Sequence, residues 1–179
     1  MNFETLPILI AAFALVVSII SLLYLRKQII LLKKEIHDQH DWNRRDTSIK
    51  YSGLYHPKVK ESRIALDEHF DIFTRPDSIS YEEIKRELDK NKKLRSDLNF
   101  LLTYYENIAI SCLHNVADEK IIRDMMRGSY ISFKNKIYNY IMRRRKITGN
   151  DKLWENFISL ANKWENEEND KTGHNKLGI

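Results

Sequence analysis

Glycine (5) and proline (3) are scarce in this chain of 179 residues, and Cys112 is its one cysteine. A single cysteine excludes an intramolecular disulfide framework and any multi-cysteine metal site. So little glycine and proline argues against glycine-rich nucleotide loops and against an all-β fold built on tight turns. No GxxxxGK[ST], GxSxG or HExxH occurs, which removes the commonest phosphate-loop, serine-hydrolase and zinc-protease signatures. Nothing points to a cofactor or a metal. His37, His40 and Asp41 are spaced to share a helical face, but no companion ligand cluster accompanies them, and an exposed polar face is the simpler reading.

Residues 6–25 read LPILIAAFALVVSIISLLYL, twenty positions without a charge. At 1.5 Å per residue the run spans about 30 Å, the hydrocarbon thickness of a bilayer. A cleaved signal would carry basic residues before a shorter apolar core. Here only Glu4 precedes the run, while Arg26, Lys27, Lys33 and Lys34 follow it. The run is therefore read as a retained transmembrane helix in the inner (plasma) membrane. Basic residues stay on the cytoplasmic side, so residues 1–5 are expected outside and the C-terminal part inside. That part holds all 30 Lys and Arg and all but one of the 25 Asp and Glu. Ala11, Ala14 and Ser18 fall near one face of the span, a pattern that permits close helix contact in lipid.

No proline or glycine interrupts residues 26–51, so the membrane helix should continue into the cytoplasm. Leu22, Leu25, Ile29, Leu32 and Ile36 recur at alternating steps of four and three, the a/d pattern of a coiled coil. The seam then turns polar through Gln39, Asn43 and Asp46. Two readings stand here: packing on the chain's own domain, or packing between copies of the chain. If copies pack, Arg26, Lys27, Lys33 and Lys34 converge, and a wide ring relieves their repulsion better than a tight pair. A homo-oligomer larger than a dimer is therefore expected, with basic rings at an inner pore mouth.

Helices are predicted over 57–74, 80–91, 94–114, 118–146 and 151–165, each from an apolar stripe at helical spacing. Ser80 with Glu83 makes a capping box, Asp118 a further N-cap, and Gly149-Asn150 a stop. The tail over 166–179 is polar and expected to be disordered. The resulting division is an external 1–5, a membrane helix 6–25, a juxtamembrane helix 26–56 and a cytoplasmic bundle 57–165. The fold class is all-α.

Two basic features invite a functional reading. Lys134, Lys136, Arg143, Arg144, Arg145 and Lys146 lie in a stretch, 129–150, that contains no acid. They suit RNA phosphates or anionic lipid heads, or simply a solvated helix end whose dipole favours cations. Arg63 and His69 form an Arg-x5-His. That pattern in a small helical domain resembles the HEPN ribonucleases, a likeness that implies Arg stabilising phosphate charge and His moving protons. Ile64 stands where active members commonly carry a polar residue. The competing reading buries Arg63 in the stripe Val59–Leu66–Phe70 and pairs it with an acid, Glu106 being the candidate.

The stretches LTYYENIAI (102–110) and DEKIIRD (118–124), with Trp154-x2-Phe157-x2-Leu160-Ala161-x2-Trp164, resemble an uncharacterised family of single-span bacterial proteins with a helical cytoplasmic domain. In size, topology and the Arg63/His69 pair the chain is also similar to the small membrane accessory proteins of type VI-B CRISPR loci. That second resemblance implies antiviral defence beside an RNA-guided nuclease effector, through a ring that opens a pore. The two rival expectations are a membrane-tethered ribonuclease using Arg63 and His69, and a non-catalytic module tethering RNA or protein.

Overall fold

A computed structural model describes residues 5–51 and 56–175, with side-chain surroundings for 8–51 and 56–167. Six helices and no strand occur among the described residues: α1 Thr5–Lys50, α2 Pro57–Phe70, α3 Tyr81–Lys90, α4 Lys92–Leu113, α5 Glu119–Thr148 and α6 Glu155–Asn175. The chain divides into two compact units, residues 1–42 and 43–179. The bundle thus starts within the last turns of α1, not at Pro57. Ser48 explains the earlier start. It is fully buried, its Oγ accepts the Asp118 N–H at 2.6 Å, and it donates to Arg44 O at 2.7 Å. Tyr51 adds a hydroxyl contact to Ser111 Oγ at 2.9 Å.

The bundle is built around α4, which packs against α2, α3 and α6. Its apolar face is the expected one: Leu94, Leu98, Leu101, Leu102, Tyr105, Ile108, Ala109 and Cys112 are all buried. Leu113, the last residue of α4, is exposed. The α5 stripe Ile122, Met126, Tyr130, Phe133, Ile137 and Ile141 is buried too. An aromatic cluster joins three helices at the centre. Tyr105 stacks on Phe157 at 5.4 Å, Tyr130 meets Tyr105 edge-on at 5.0 Å, and Trp164 lies 4.9 Å from Tyr130. Each such ring removes a large apolar surface from water, so truncating Trp164 to alanine costs about 3–5 kcal/mol.

Helix ends follow their side chains. Ser80 Oγ accepts the Glu83 N–H, Asn91 Oδ1 accepts the Leu94 N–H, and Asp118 accepts from Lys120 and Ile121. These satisfy donors that no helical carbonyl reaches. α2 stops at Phe70, four residues before the expected end. Asp71 turns left-handed (φ 49°) and Asp67 Oδ1 takes the Phe73 N–H, a local closure that competes with further helix. α5 passes unbroken through Gly128-Ser129 and stops at Gly149, whose φ of 64° is the left-handed cap. Turns occupy 151–154, with Trp154 at φ 55°, so α6 begins at Glu155. α6 then runs to Asn175, which replaces the disordered tail expected from residue 166; residues 176–179 lie outside the described ones.

Candidate functional site

α1 contains one helix segment long and apolar enough to cross a membrane, starting at Ile8. Every side chain from Ile8 to His40 is exposed. Ser18 and Ser21 donate their hydroxyls to the carbonyls of Ala14 and Val17, both at 2.8 Å, so neither hydroxyl is left bare in an apolar surrounding. Beyond the span, Ile29, Leu32 and Ile36 remain 53–59% exposed. With 100° per residue, these three occupy one narrow face. Arg26 and Lys33, seven residues apart, flank that face on one side, and Gln28 and Glu35 flank it on the other. Lys27 and Lys34 fall on the opposite side of the helix. The four cations therefore do not share a face. His37 lies 3.5 Å from Asp41, and no group of three metal-ligating side chains occurs among the described residues.

Arg63 and His69 are on the same helix, but no contact joins them. Arg63 is half-buried, with its guanidinium 4.6 Å above the Phe73 ring. His69 is exposed, and its Nδ1 contacts Ala65 O of its own helix at 2.8 Å. The expected Arg63–Glu106 pair does not form. Glu106 instead caps α6, accepting from the Asn156 N–H at 3.3 Å, Asn156 Nδ2 at 2.7 Å and the Phe157 N–H at 2.8 Å. A cluster of unbonded helical N–H groups outcompetes a distant guanidinium for that carboxylate, and Phe73 supplies Arg63 with an aromatic face instead.

The basic stretch of α5 separates into two groups. Lys134 and Lys136 are buried, 6% and 8% exposed. Lys134 Nζ donates to Asn162 Oδ1 at 3.1 Å and Glu165 Oε2 at 2.8 Å, an interaction that holds the Glu165 carboxyl below its ordinary range. Lys136 Nζ donates to Pro76 O at 2.6 Å, beside an Ile79 N–H to Lys136 O bond that pins the α2–α3 loop. These two lysines tie the bundle together and are not free to grip phosphate. Arg145 Nε likewise donates to Leu153 O at 2.9 Å. Arg143, Arg144 and Lys146 remain. Arg143 lies 5.9 Å from the Tyr81 ring centroid, Lys146 is exposed, and Arg144 lines a cavity with residues of α3 and α4. Those partners, Tyr81, Lys85, Arg95 and Asn99, are 45 or more residues away in the chain, and no local sequence pattern marks them.

Cys112 offers no nucleophile: burial in the bundle pushes its thiol up to about 12, so it stays protonated at neutral pH.

The geometry defines an all-α protein in which a potential membrane-spanning helix accompanies a helical bundle. Residues 8–164 match the family described as a domain of unknown function, DUF4760, and the chain belongs to that family. The match includes both the apolar helix and the bundle as far as Trp164. No curated protein and no solved structure matches the chain.

Proposed function

We propose that this protein is a single-span membrane protein that self-associates in parallel through the α1 seam and so gathers its bundles at the inner face of the membrane. The observation that carries the reading is the row Ile29, Leu32 and Ile36, left exposed just past an apolar span whose nearby basic residues all follow it. Burying three such side chains is worth roughly 5–8 kcal/mol per chain before entropic costs. The flanks suit a parallel arrangement. Arg26 and Lys33 occupy e positions and Gln28 and Glu35 occupy g positions, so across a parallel seam Gln28 faces the Lys33 of the next copy and Glu35 its His40, with no pair of like charges. Lys27 and Lys34 point away, which weakens the repulsion that favoured a wide ring. Ile at a with Leu at d favours two strands in a parallel coiled coil, against the wide ring that the charges suggest, and sizing decides between them.

Membrane perturbation in antiviral defence, the role implied by the resemblance to CRISPR-associated membrane proteins, requires such an assembly. A ribonuclease centre made from Arg63 and His69 has less support, since Arg63 is engaged by Phe73 and His69 by its own helix. The test is the triple substitution of Ile29, Leu32 and Ile36 by Ser in the full chain. Cross-linking in membranes and light scattering in detergent should show loss of the assembly, with the helical signal retained. Any protection of host cells against phage should fall with it. An unchanged assembly size in the triple variant overturns the seam as the contact.

A further inference from the structure

The cavity between α3, α4 and the C-terminal half of α5 is cationic, and its charges are not balanced from within. It has a volume of 220 Å³. That is smaller than the roughly 300–1,000 Å³ of a site for a drug-sized molecule, so its occupant is compact. Lys85, Arg95 and Arg144 supply three positive charges and Asp89 one negative. Asp89 is already committed to Arg95, 2.8 Å away, and Arg95 also donates to Leu88 O at 3.0 Å. Neither Lys85 nor Arg144 has an ion pair among the described residues. The Arg144 Nε is buried without a hydrogen-bond partner, an arrangement that is costly unless something else accepts its hydrogen bond. Uncharged donors sit beside these cations: Asn99 from α4, and the hydroxyls of Tyr81 and Tyr140, whose rings stack at 6.0 Å. Lys85, Arg95 and Asn99 are exposed, so the opening faces solvent, while Tyr140 forms a buried wall. Burial raises the Tyr140 hydroxyl's pKa, and the charges of Arg144 and Arg95 oppose that rise.

We propose that this cavity binds a phosphate monoester group, with Arg144 and Lys85 as the charge partners and Asn99 and the tyrosine hydroxyls as additional donors. A monoester carries a charge of about −1.5 to −2 at pH 7 and three acceptor oxygens, which matches two unpaired cations and a surplus of donors. A guanidinium offers a planar fork to two phosphate oxygens, and Lys85 acts as a mobile point charge at the mouth. Carboxylates match less well, having one charge and two oxygens.

The site goes beyond self-association and does not depend on it. The test is calorimetric titration of the full detergent-solubilised chain at low salt with inorganic phosphate, adenosine 5′-monophosphate and glycerol 3-phosphate. Saturable binding of at least one of them is expected, weakened tenfold or more by Lys85→Gln and by Arg144→Gln, and weakened by added salt. Lys85 is exposed, so Lys85→Gln keeps the test sound if Arg144→Gln unfolds the bundle, which far-ultraviolet circular dichroism reports. Tighter binding of glycerol 3-phosphate assigns the group to a lipid headgroup, and tighter binding of the nucleotide to a soluble ester; both support the site. No saturable binding of any of the three, or equal binding by wild type and Lys85→Gln, overturns it. Running the same titration on the triple seam variant separates the two proposals, since it should bind phosphate as wild type does.

Discussion

Single side chains at helix ends carry much of the bundle's specificity. Glu106 gathers three donors at the start of α6, so Glu106→Ala strands them and should lower stability by about 2 kcal/mol. Glu106→Gln keeps one acceptor and should cost about half as much, as thermal unfolding of the two variants will show. Asp97 makes a second test. Burial alone raises its carboxyl, but hydrogen bonds from Lys58 at 2.5 Å and Ser62 at 2.9 Å, with the Lys58 charge, outweigh burial and hold it below its ordinary value. A depressed folded pKa gives stability that is present above the unfolded value of about 3.9 and is lost as pH falls through the folded value. Acid titration by circular dichroism should therefore show wild type losing stability below about pH 4. Asp97→Asn should be less stable near pH 7 and less sensitive in that acid range.

Two glycines, Gly128 within α5 and Gly149 just past its end, separate backbone from packing effects at the scale of the element. A methyl group added at Gly128 or at Gly149 meets nothing within 4 Å. Only the backbone differs: Gly128 is helical and Gly149 has φ 64°. Gly128→Ala should stabilise by about 0.5–1 kcal/mol through lost freedom of the unfolded chain. Gly149→Ala should destabilise by about 1 kcal/mol because a Cβ is strained in the left-handed region. Opposite shifts in unfolding midpoint are the expected result, and shifts of the same sign contradict this account. Periodicity showed all the bundle helices and their buried faces. It did not place the end of α2 or the start of α6, because both are decided by competing local bonds: Asp67 to the Phe73 N–H, and the turn through Trp154.

For the whole molecule, the one-sided charge after residue 25 makes a topological prediction. A C-terminal tag should resist external protease in intact cells and be cleaved once the cells are lysed. Cleavage in intact cells contradicts the orientation. The bundle's internal ties run between elements far apart in sequence, such as Lys134 to Glu165 and Ser48 to Asp118, so residues 43–50 should melt with the bundle rather than with the span. That placement moves the start of the folded domain into α1.

The sequence by itself determined the all-α class, the apolar span, the unbroken run of α1 to Lys50 and the inward face of each core helix. Each follows from the local spacing of apolar residues, which helix geometry converts directly into a face. Tertiary structure alone decided what each charge does. Six cations within one stretch of thirteen residues read alike in sequence, yet Lys134 and Lys136 became internal ties, Arg145 a turn anchor and Arg144 the wall of a cavity. The role of a charged side chain depends on which distant carboxylate, carbonyl or ring folding brings within hydrogen-bond reach, and no local period encodes that distance.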